Sequence, residues 1–64
     1  MLKNNTYNLM MQLTEEHKSL WRIKSDYIKD AKGSKEVLSF WKKMIVEKEA
    51  HIIELQSLIK KELK

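Results

Sequence analysis

Cysteine and proline are absent from this 64-residue chain, and glycine occurs once, at Gly33. The missing cysteines exclude disulfides, thiolate metal sites and thiol nucleophiles together. With no proline and a single glycine, nothing interrupts the chain except one central break, Lys32-Gly33-Ser34. Long hydrophobic runs are also missing. No apolar run exceeds three residues, as in Met44-Ile45-Val46, against the ~20 that a bilayer-spanning helix needs. The opening Met1-Leu2-Lys3-Asn4-Asn5-Thr6 lacks the apolar core of a secretory signal, so the expected setting is cytoplasmic, with no membrane partner.

Charge of one sign is not concentrated anywhere. The net charge is +4, and each half of the chain carries +2. Arg22 is the only arginine among thirteen basic residues, whereas nucleic-acid surfaces favour arginine for bidentate and stacking contacts. A lysine-rich accessory protein for nucleic acid is therefore the third-ranked reading.

What is present is helical periodicity on both sides of Gly33. At about 100° per residue, Leu9, Met10, Leu13, Leu20, Trp21, Ile23, Tyr27, Ile28 and Ala31 share one face. Thr6 is placed to cap this segment and Thr14 is a rival cap; the longer choice predicts a helix over 6–31. Ser34 is a good N-cap for the second segment. There Val37, Leu38, Phe40, Trp41, Met44, Ile45, Ile52, Leu55, Leu58, Ile59 and Leu63 line one broad face. Lys60, Lys61 and Lys64 suit the negative end of a helix over 35–62.

Two matched arms joined at 32–34 make an all-α antiparallel two-helix hairpin. The apolar stripe is wider than one partner helix covers. Trp21 and Ile28 edge the first helix, and Phe40 and Leu58 edge the second. Together with Trp41 and Ile45 they form the expected interface of a homodimeric four-helix bundle, with another protein's helices as the alternative.

Polar groups inside the stripes carry the sharper signal. Glu16, His17 and Lys24 fall within the first apolar arc, and Lys48, His51 and Glu62 within the second. Folding back at residues 32–34 brings Glu16 and His17 to the level of Lys48 and His51. A Glu16–Lys48 ion pair there would fix the register of the two helices, the best-attested use of polar groups in helical cores.

The same layer supports a second reading. Carboxylate-bridged di-metal bundles take a glutamate from one helix and Glu-x-x-His from the next. With Glu16 in one helix and Glu47-Lys48-Glu49-Ala50-His51 in the other, the chain resembles half of a ferritin-like bundle of the rubrerythrin or encapsulated-ferritin kind. That resemblance implies a metal site of Glu16, His17, Glu47 and His51 holding iron, zinc or manganese. Lys48 stands three residues before His51 where the family has a glutamate, which makes any such site degenerate.

No catalytic constellation emerges. Ser19, Ser25, Ser34, Ser39 and Ser57 lack an adjacent base with its orienting acid. The leading expectation is a non-enzymatic interaction and oligomerisation module without a cofactor.

Overall fold

The computed structural model describes residues 3–63. It is an antiparallel helical hairpin: α1 (Asn4–Arg22), a π-helical turn (Ile23–Tyr27), α2 (Ile28–Asp30) and α3 (Lys35–Glu62). The first three are one continuous arm, and α3 is the other. The molecule measures 48 × 16 × 13 Å, the dimensions of two helices side by side. No described helix is long and apolar enough to cross a membrane.

The reversal depends on one residue. Gly33 has φ +97°, a left-handed conformation that side chains with a Cβ resist. Ser34 then starts α3, its Oγ accepting a hydrogen bond from the Val37 N–H at 3.3 Å, which satisfies one of the four free donors of the new helix. The observed bounds of α3 are those its pattern predicts.

The start of the first arm differs from the expectation. Thr6 is not a cap: it lies inside α1 and is only 2% exposed, while Lys3 holds the N-cap position without a side-chain bond. Thr14 is also mid-helix, its hydroxyl donating to the Met10 carbonyl at 3.0 Å. Lys64 lies outside the described residues.

Packing follows a seam with alternating three- and four-residue steps. On the first arm it runs through Thr6, Leu9, Leu13, Glu16, Leu20, Ile23 and Tyr27. On α3 it runs through Leu38, Trp41, Ile45, Lys48, Ile52, Leu55 and Ile59. Every one of these is buried or half-buried, the pattern of a two-stranded coiled coil. The threonine, glutamate and lysine sit in the seam because it is read at a 3.5-residue period, which a list of apolar residues alone hides.

The π turn explains the end of the first arm. The Ile28 N–H reaches back five residues to the Ile23 carbonyl, so this turn holds an extra residue. The Trp21 carbonyl there accepts the Ser25 hydroxyl at 2.8 Å. One extra residue delays the rotation of the helix beyond it by about 100°, turning Ile28 from the edge toward the partner helix, where it is half-buried. Tyr27 packs on Trp41 with ring centroids 4.9 Å apart and planes tilted by 43°, and Trp41 meets Phe40 edge-on at 5.1 Å.

Candidate functional site

The seam's polar layer is the most specific chemistry in the molecule. The Lys48 Nζ donates to Glu16 Oε2 at 3.0 Å, with 16% and 10% of the two side chains exposed. Glu16 Oε1 accepts from the Gln12 amide at 3.2 Å and lies 3.7 Å from His51 Nδ1. Gln12 is one turn before Glu16 on the same helix, and His51 is one turn after Lys48. Helical spacing therefore delivers all four groups to one level. A second cross-helix pair, Lys24 to Glu49 at 3.2 Å, lies on exposed ground.

The hydrogen bond from Lys48 holds the Glu16 carboxyl below the ordinary glutamate range, against the opposing effect of burial; Gln12 and the nearby charges help it. A folded-state pKa below the unfolded value means the unfolded chain takes up the proton first as pH falls. The layer's contribution is therefore complete above about pH 4.3 and is lost as pH drops through the folded-state value. Acid titration followed by circular dichroism should show helix loss below that point. Glu16→Gln should flatten the acid limb, and an unchanged limb would remove Glu16 from its cause.

Of the four residues implied as metal ligands, Glu16 and His51 come together, whereas His17 and Glu47 are exposed. Among the described residues no three His, Asp or Glu side chains are grouped to hold a metal ion. Both Glu16 oxygens are engaged by protein donors, and the ammonium of Lys48 sits against one of them. Lys24, expected within the apolar arc, is exposed and bound to Glu49, and Glu62 is exposed. Neither the Lys24–Glu49 pair nor Gln12's bond to Glu16 was legible from a stripe of apolar residues; the first comes from the pairing of the two arms, and the second from a four-residue spacing within one helix.

The two flanks of the hairpin differ. One groove of about 280 Å³ is lined by Gln12, Glu16, His51, Glu54, Leu55 and Leu58. Phe40 belongs to this flank, because it lies a whole number of helical turns from Leu58. The opposite flank carries Lys24 and Glu49 and a groove lined in part by Leu13, Ile53 and Ile59. Trp21 lies there, one turn before Lys24. The expected interface residues are thus divided: Phe40 and Leu58 face one way, Trp21 faces the other, and Ile28, Trp41 and Ile45 are half-buried within the hairpin. Ile53, 68% exposed, is an apolar surface residue that the stripe omits.

Compared with protein families, curated proteins and solved structures, the chain matches none.

Proposed function

We propose that the chain is a non-enzymatic interaction module that works as a homodimer of hairpins, a four-helix bundle. The observation that carries this reading is how little the hairpin buries. Among the described residues the buried hydrophobic side chains are Ile23, Ala31 and Ile52, while Phe40 and Leu58 are 52% and 41% exposed. Full burial of one such large side chain stabilises by ~1.5–3 kcal/mol. Chains of this size usually need a disulfide, a metal or a partner subunit to hold a fold, and disulfides are excluded here. A second copy supplies two more helices of matching length at no cost in new sequence.

Sedimentation equilibrium on the wild-type chain tests this. A dimer that dissociates on dilution is expected, with a melting temperature that rises with concentration because association stabilises the folded form. A folded monomer with concentration-independent melting would overturn the proposal.

A further inference from the structure

We infer that the two copies meet through the Phe40/Leu58 flank, with α3 packed antiparallel on α3 of its mate across a two-fold axis between Lys48 and Glu49. This rests on the homodimer reading above and adds its surface and register.

The argument comes from the order of residues along that flank. An isologous interface needs a surface that complements itself when reversed, so that a residue meeting another across the axis is met by it in return. Reversed about the midpoint between Lys48 and Glu49, Lys43 falls opposite Glu54 of the mate and Glu36 opposite Lys61, while Phe40 comes within one residue of Leu58 and Glu47 within one residue of His51. Each basic or imidazole group therefore meets a carboxylate, and each match occurs twice. The eight positions lie within about 80° of arc on α3, so one helix face presents them all.

Of the charged groups, all but His51, which lies 3.7 Å from Glu16, are free to pair. Glu36, Lys43, Glu47, Glu54 and Lys61 are exposed and have no ion-pair partner within 4.0 Å among the described residues; the Lys43–Glu47 contact that their spacing permits does not form. Glu16, at the same level on the first arm, already has its charge matched by Lys48 within the hairpin.

The other flank fails the same test. Reversal about the same level there sets Lys42 near Leu55 and Gln56 and Lys60 near Val37 and Leu38, forming no opposite-charge pair, and Glu49 is taken by Lys24. Its exposed apolar residues are Val46 and Ile53. Charge order selects partner and orientation in helical interfaces more than it adds affinity, and here it selects the Phe40/Leu58 flank.

Complementary charge reversal tests the inference. Lys43→Glu puts Glu opposite Glu54 twice in its homodimer, and Glu54→Lys puts Lys opposite Lys43 twice. Each single variant should raise the dimer dissociation constant by about tenfold or more. In a one-to-one mixture every reversed position meets its opposite, so native mass spectrometry should show the mixed dimer dominating, with affinity near wild type. Because the mixture is a rescue, it reads out even if the isolated variants lose helix.

A wild-type dimer whose Lys43→Glu and Glu54→Lys variants associate unchanged, or fail to rescue one another, would overturn this surface while leaving the homodimer standing. Dissociation by Ile53→Lys alone would place the axis on the opposite flank and overturn it equally. A monomeric wild type would remove both proposals together.

Discussion

Replacing Lys48 with methionine should lower the melting temperature by at least ~12 °C, whereas pairing that change with Glu16→Leu should restore it. The single change leaves a carboxylate with 10% of its side chain exposed, its ammonium partner gone and only the His51 imidazole at 3.7 Å on that side. Removing one partner of a buried pair typically costs ~3–5 kcal/mol. Some of that is relieved because Gln12 still donates to Glu16, so a loss of about 3 kcal/mol is the expected figure. For a chain this small the corresponding fall in melting temperature is at least ~12 °C. The double variant fills the layer with apolar side chains of similar volume, and such exchanges are often neutral or stabilising by ~1–4 kcal/mol. Thermal melts of the three proteins at one concentration decide the matter. If Lys48→Met melts like wild type, the carboxylate is solvated and the layer is not a buried pair. Native mass spectra of the double variant carry a second result: if the layer sets register, its loss should give more than one oligomeric species.

How much of this could be read from the sequence differs element by element. The second arm was fully legible because Ser34 marks its start and lysines mark its end, both through chemistry confined to one turn. The Glu16–Lys48 layer was legible too, because a hairpin with one glycine has only one place to fold. The division of Trp21 from Phe40 and Leu58 was not. A helical wheel shows which residues lie at the edge of a stripe, but which edges face the same way depends on how the two arms are paired. Thr6 misled for a related reason: its hydroxyl suits a cap and its position suits the seam, and packing prevailed over the local preference. The π turn left no local signature in Ile23–Tyr27. It arises because the residues around Ile28 can be buried only after an extra residue is absorbed, a demand set by the partner helix.

That turn locates the second large effect. Ile23 is 1% exposed, the most deeply buried large hydrophobic side chain among the described residues, and it opens the π segment. Ile23→Ala removes the transfer free energy of three carbons and leaves a cavity, together ~2–5 kcal/mol in packed cores. The flanking Leu20 and Tyr27 are half-buried and can settle into part of the space, which places the expected loss near the lower end, at about 2–3 kcal/mol. Trp21→Ala, two residues earlier, removes a larger side chain that is 68% exposed in the hairpin and should lower the melting temperature by only a few degrees. The contrast separates burial from size. Because Trp21 lies on the flank away from Phe40 and Leu58, it also separates the hairpin's core from the dimer's surface. Ile23→Ala should reduce helicity at every concentration, whereas Trp21→Ala should leave both helicity and the dimer constant near wild type. A Trp21→Ala loss as large as that of Ile23→Ala would mean that a second chain covers the Trp21 flank.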